Sequence, residues 1–134
     1  MADSLHVQMA GTAEMVVEES NTARHLGSGG VAVLATPELV RLMEQASVAA
    51  VDPHLPPGHQ TVGYHLDVRH LAPTPVGMKV RARAELIEIN ERRLTFRVEA
   101  TDEVERIGEG THVRVIIQAA RFHDRVESKK SHTL

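Results

Sequence analysis

One segment constrains the fold of this chain more than any other: VLATPELVRLMEQASVAAV, residues 33–51, reads as a helix that is apolar around most of its girth. Thr36 suits the N-cap, Pro37 the first helical position, and Glu38 the first turn, where the helix dipole favours an acid. Asp52-Pro53 predicts the end, because a residue before proline resists the helical conformation. At about 100° per residue, Leu39, Leu42, Met43, Ala46 and Ala50 form a broad apolar face, with Glu38, Arg41 and Gln45 opposite. Glu44 falls on the border, flanked along the axis by Val40, Ser47, Val48 and Val51. A helix of this kind must be covered, and the rest of the chain has to supply the cover.

Beyond the helix the apolar residues recur with a period of two. After the loop DPHLPPGHQ (52–60), TVGYHLDVRHL predicts a strand with Val62, Tyr64, Leu66, Val68 and His70 on one face and His65, Asp67 and Arg69 on the other. APTPVG turns the chain, and MKVRARAELIEI (78–89) alternates again. NERR connects it to LTFRVEATD (94–102), ERIGEG makes a further turn, and THVRVIIQAARF (111–122) reads as a last strand. Ahead of the helix, TAEMVVEES (12–20) is expected to be a first strand, followed by a mobile loop over 21–35 with three glycines in GSGG. The polar end, 127–134, reads as a tail. The predicted architecture is therefore α+β: one antiparallel five-stranded sheet wrapped around one central helix. A sheet with open edges invites pairing with a second copy.

A chain of 134 residues holds one domain, 1–134, with a core over about 12–126. Its single tyrosine, two phenylalanines and no tryptophan argue against a base-stacking nucleic-acid module. The net charge of −3 offers no broad basic surface for nucleic acid or anionic lipid. With no cysteine, disulfides, thiolate metal sites and a cysteine nucleophile are excluded. The first residues lack the pattern of a signal peptide and no stretch approaches a membrane span, so a cytoplasmic location is expected.

Three groups carry chemical potential: Thr36, Glu44 and His70. A threonine before Pro-Glu commonly does no more than cap, an inward histidine is commonly a satisfied core residue, and a border glutamate commonly keeps its tip in water. Together, however, a hydroxyl, a carboxylate and an imidazole are the parts of a nucleophile, electrostatic partner and general base. No metal is expected, since His65 and His70 point to opposite faces and no compact ligand set is present. GSGG lacks the Lys-Ser/Thr ending of a phosphate loop. Arg81, Arg83, Arg92 and Arg93 read as solvated strand faces.

LATPELVRLMEQAS, TVGYHLDVRHLAPTPVGM and ERRLTFRVEATDEVERIGEGTHVRVII, in that order, resemble the fluoroacetyl-CoA thioesterase-like family of hot-dog-fold proteins. The likeness runs from about Thr12 to Val126. Its most specific parts are His70-x-x-x-Thr74-Pro75-x-Gly77 and Ile107-Gly-x-Gly-Thr-His112. The resemblance implies hydrolysis of an acyl-CoA, with Thr36, Glu44 and His70 as the catalytic set and Gly63 and Arg114 at the substrate. It implies that two copies pair edge to edge, a tetramer being left open; His112 matches the motif but reads as structural, and no cofactor is expected. The three catalytic groups are expected to converge on one small cleft near the subunit interface. The enzyme that names the family carries phenylalanines in the lid before the helix. Here that segment is GSGGVAVLAT, which points to a different short or medium acyl group. Two other readings share the fold: a non-catalytic acyl-CoA-binding protein, and a hydratase or dehydratase of enoyl or hydroxyacyl thioesters.

Overall fold

The computed structural model describes residues 4–132. Five strands, β1 (Ala10–Val16), β2 (His59–His70), β3 (Lys79–Asn90), β4 (Arg93–Thr101) and β5 (Arg106–Gln118), form one sheet. Its order is β1-β3-β4-β5-β2 and every pairing is antiparallel. Among the described residues there are also three α-helices, α1 (Ala23–Leu26), α2 (Thr36–Val51) and α3 (Ala119–Lys129).

α2 is the apolar helix of the sequence, and it lies in the hollow of the sheet. Leu39, Leu42, Met43, Ala46, Ala50 and Val51 are all buried. Against them stand Val80, Ala82, Ala84 and Leu86 of β3, Leu94, Phe96, Val98 and Ala100 of β4, and Ile107 and Ile116 of β5. Each fully buried Leu or Met stabilises the fold by about 1.5–3 kcal/mol. Small residues set how close the helix comes. A Cβ on Gly11 of β1 would sit 2.5 Å from Ala50 N and nearer still to the Ala46 carbonyl oxygen. Only hydrogen fits between that strand and the helix backbone.

The boundaries depart from the sequence reading at several places; the expected loop 52–60, for one, opens with a 3₁₀ turn, Asp52–His54, and gives way to β2 at His59. β1 runs over Ala10–Val16 rather than 12–20, since Val17 turns into the core and a 3₁₀ turn, Glu19–Asn21, follows. The expected mobile loop is pinned at both ends: Thr22 and Leu34 form a β-bridge, as do Val33 and Pro75, and Thr22 caps the short α1 by accepting from His25 N. Its glycine-rich middle, from Gly27 to Val31, is exposed.

β5 begins at Arg106, so ERIGEG is mostly strand and not turn. Gly108 and Gly110 resemble turn residues, yet they mark close approaches. A Cβ on Gly108 would meet Leu39 Cδ2 at 2.9 Å and Met43 Cε at 3.0 Å. The real turn precedes it, where Asp102 Oδ1 accepts from the backbone of Val104 and Glu105 and Oδ2 accepts from the buried Thr74 hydroxyl at 2.9 Å. β5 stops at Gln118, whose side chain caps α3 at Arg121 N. The expected strand to 122 and part of the expected polar tail are thus helix, exposed from Ala120 onward.

β2 carries a bulge. Gly63 pairs with Arg114 and His65 with Val113, which leaves Tyr64 as the extra residue. Directly paired residues share a face, so Thr61 and Gly63 point inward before the bulge, and Leu66, Val68 and His70 after it. The expected set of Val62, Tyr64, Leu66, Val68 and His70 is therefore split. Tyr64 turns outward, where its ring lies 4.6 Å from the Arg93 guanidinium and its hydroxyl accepts from Arg93 Nη2 at 3.2 Å.

Gly11→Ala is expected to destabilise the fold by about 1–3 kcal/mol through overpacking. Gly30→Ala, facing open space, should stay within about 0.5 kcal/mol. Urea denaturation of both variants checks the pair.

Candidate active site

Thr36 is the first residue of α2 and not its cap: Ala35 holds the cap position without a side-chain bond. The freed hydroxyl points across to the end of β2, where Thr36 Oγ1 and His70 Nδ1 lie 2.7 Å apart. His70 faces inward, in keeping with the alternation of its strand. Its Nε2 is buried and has no hydrogen-bond partner among the described residues. Burial pulls the His70 pKa below the ordinary imidazole value, with the Ala72 backbone acting against it. Around this pair is a cavity of about 310 Å³, walled by Ala23, Ser28, Val33, Leu34 and Leu71 to Pro73. Its walls are small and mostly aliphatic.

Glu44 stands over a second cluster. Its Oε2 lies 3.5 Å from Arg114 Nη1 and 3.9 Å from His112 Nε2. The carboxylate is half-exposed, whereas Arg114 is only 6% accessible and His112 is fully buried. Arg114 donates through Nε to Thr61 Oγ1 at 2.7 Å and through Nη2 to the Thr61 carbonyl at 3.0 Å. Burial lowers the Arg114 pKa, and the nearby Asp52 and Glu44 carboxylates oppose that shift. Burial likewise lowers the His112 pKa. A cavity of about 280 Å³ opens here, bounded by Glu44, Gly63 to Leu66 and His112. A Cβ on Gly63 would come within 2.8 Å of Glu44 Oε2, so the glycine leaves the carboxylate its place.

The three expected catalytic groups therefore fall into two places within one chain. Thr36 and His70 touch; Glu44 lies eight residues further along α2, about 12 Å of helical rise away. The single cleft expected from the sequence is instead two openings along the same helix. Gly63 and Arg114 both belong to the Glu44 opening, with Arg114 beneath its floor. A further cavity, about 400 Å³, lies on the outer face of the sheet among Asp67, Arg97, Glu99 and Arg106 and contains none of these groups. Among the described residues no three His, Cys, Asp or Glu side chains are placed to hold a metal ion.

The profile of the FlK family, fluoroacetyl-CoA-specific thioesterase, matches residues 17–120. The fluoroacetyl-CoA thioesterase of Streptantibioticus cattleyicolor is 39% identical over 135 residues, covering 96% of this chain and 97% of its own. The chain belongs to the FlK thioesterase family. A solved structure of fluoroacetyl-CoA thioesterase FlK superimposes with a TM-score of 0.87 at 39% identity, over 95% of this chain and 98% of that one. A hot-dog-like protein from Thermanaerovibrio acidaminovorans, at 22% identity, gives a TM-score of 0.87 over 96% of this chain and 95% of its own. At that distance the likeness speaks for the fold alone, and the fold is the hot-dog sheet around a central helix.

The polar floor under Glu44 is the part of this FlK-family site that sequence reasoning misses. The sequence reading takes His112 as structural although it matches the family motif, and gives Thr61 and Asp52 no part in the site. Parity hides them: in the sequence Thr61 alternates with the apolar set and falls beside His65, Asp67 and Arg69, while His112 and Arg114 alternate with Val113, Val115 and Ile117, so all three read as a solvated face. A polar side chain on a buried face needs a partner, and three of them on adjoining strands supply one another.

Gly63→Ala should push the Glu44 carboxylate aside and lower thioester hydrolysis about tenfold or more. Since the clash is with a flexible side-chain tip, the melting temperature should move by no more than about 2 °C. Thiol-release kinetics and thermal unfolding on the same sample check both.

Proposed function

We propose that this FlK-family chain is a homodimeric acyl-CoA thioesterase that hydrolyses a short or medium acyl thioester in the cytoplasm, using Thr36, His70 and Glu44. The observation that carries the reading is the 2.7 Å Thr36–His70 contact in a chain of a thioesterase family. With the Nδ1 proton directed at Thr36 Oγ1, His70 Nε2 keeps a lone pair and no protein partner among the described residues, the arrangement of a general base awaiting water. Glu44 attacks the thioester carbonyl or aligns the water that does. Where Glu44 attacks, the CoA thiolate is expelled and water then hydrolyses the Glu44 anhydride. In either version His70 takes a proton from the attacking water, the C–S bond breaks, and the protonated imidazole returns that proton, so that the products are the carboxylic acid and CoA as the thiol. Gly63 leaves room for the thioester beside Glu44, and the charge of Arg114 is felt there through the carboxylate.

The dimer accounts for the separation of about 12 Å along the helix. β2 is an edge strand, and Tyr64 and Leu66 on it are 59% and 41% exposed. Two-fold antiparallel pairing of β2 with its copy lays the Gly63 end of one strand beside the His70 end of the other. Glu44 of one copy then works with Thr36 and His70 of the second, so that each dimer holds two composite sites. Support for a substrate other than fluoroacetyl-CoA comes from the lid, where Gly27, Gly29, Gly30 and Val31 stand and no aromatic residue does. No helix among the described residues is long and apolar enough to cross a membrane.

Free-thiol release from a panel of acyl-CoAs, acetyl to octanoyl, tests the activity, and Glu44→Gln should abolish it. Mixing folded Glu44→Gln with folded His70→Ala, each inactive alone, should restore about a quarter of wild-type activity, because half of the dimers are mixed and each carries one intact site. No restoration after confirmed subunit exchange would rule out the composite site. The pH profile of kcat/KM should fall on the acid side with a midpoint below 6.5, since the depressed His70 pKa keeps the base neutral until the medium is more acidic than usual. A midpoint at or above 6.5 would exclude His70 as that base.

A further inference from the structure

The polar side chains beneath Glu44 are connected, and the hydrolysis scheme gives Asp52, Thr61 and His112 no part. Asp52 ends α2; its Oδ1 accepts from Thr61 Oγ1 at 2.6 Å and its Oδ2 from Thr61 N at 3.2 Å. With its proton committed to Asp52, the Thr61 hydroxyl oxygen is free to accept from Arg114 Nε at 2.7 Å. The same residue's carbonyl takes Arg114 Nη2 at 3.0 Å. On the far side of the guanidinium, Nη1 lies 3.1 Å from His112 Nε2. A guanidinium is always a donor there, so Nε2 must be the unprotonated nitrogen. His112 Nδ1 lies 2.8 Å from the His65 carbonyl, which requires the proton on Nδ1. Both contacts demand the same neutral tautomer, and every hydrogen bond in the chain has a consistent direction.

We infer that Asp52, Thr61, Arg114 and His112 are positioning residues for Glu44: a buried hydrogen-bond chain from the end of α2 fixes the guanidinium that fixes the carboxylate. A charged group this deeply buried is costly unless its donors are met, and here the partners come from β2 and β5, on both sides of the guanidinium. Arg114 therefore cannot swing toward a ligand without abandoning Thr61 or His112. What it offers instead is a fixed positive point 3.5 Å from Glu44 Oε2. The two ends of the chain are tied to the same helix, Asp52 directly and Glu44 through Arg114. A slip of α2 along β2 would therefore be felt at the carboxylate. The inference rests on reading Glu44 as a catalytic group.

Thr61 is the link to test, because it lies outside the lining of the Glu44 cavity and Thr61→Val preserves its shape. On the full chain, with the best-turned-over acyl-CoA of an acetyl-to-octanoyl panel, Thr61→Val should lower kcat about 10- to 100-fold. KM should stay within about twofold, and Thr61→Ser, which returns the hydroxyl, should recover most of the loss. Wild-type turnover by folded Thr61→Val, an equal loss in both variants, or a raised KM at unchanged kcat would each overturn the inference. If Thr61→Val does not fold, ¹⁵N NMR of His112 in the wild-type protein at neutral pH decides: a proton on Nδ1 supports the chain, and a proton on Nε2 breaks it. Glu44→Gln serves as the reference. Undiminished turnover there removes the catalytic reading itself, whereas an inactive Glu44→Gln beside an active Thr61→Val removes only the positioning chain.

Discussion

Everything in this molecule depends on hiding one greasy helix with one sheet. α2 is close to being a core element, and its burial fixes the order of the strands, the small residues on their inner faces and the line along which polar groups can stand. The sheet accommodates it with alanine at 82, 84 and 100 and glycine at 11 and 108, so that helix and strands approach to backbone contact on one side. The cost of such tight packing is intolerance of an added methyl. The gain is that α2 cannot easily slide, and a carboxylate mounted on it inherits that rigidity.

The polar groups gather where the apolar cover ends. At the start of α2 the Thr36 hydroxyl is available because the cap position is filled by Ala35. A threonine one residue earlier would spend its oxygen on the helix backbone. At the middle, Glu44 sits on the helix border, half in water, above residues that are almost wholly enclosed. Burying Arg114 alone would be strongly unfavourable. It is tolerated because Thr61 and His112 present an oxygen and a nitrogen lone pair from adjoining strands. The site is thus built from one helix and two strands that the core already holds still.

Much of this was legible in the sequence. The alternating strands β3 and β4, the inward direction of His70 and the border position of Glu44 follow from periodicity, and the end of α2 from Asp52-Pro53, whereas its start lies one residue earlier than the expected Thr36 cap allowed. Family motifs added the pairing of Thr36 with His70 as functional groups. What periodicity could not supply was local. Glycines at 108 and 110 carry the same letter whether they make a turn or let a helix pass close above a strand, and only the packing partner distinguishes the two. α1 is too short to show a period, and α3 follows β5 without a break in a sequence that still reads as strand-like. The separation of Glu44 from Thr36 was implicit in eight residues of helix, yet the motif presented them as one set.

The bulge in β2 has an arithmetical consequence. Gly63 and His70 are an odd number of residues apart, so in an unbroken strand they would look to opposite sides of the sheet. Tyr64, by absorbing one step, makes the count even and turns both toward the helix. The length of this strand is therefore held by parity: one residue gained or lost between those two positions would send the imidazole out into solvent, however conservative the letters involved. Substitutions along β2 can be graded by size and charge, but insertions and deletions there admit only two outcomes.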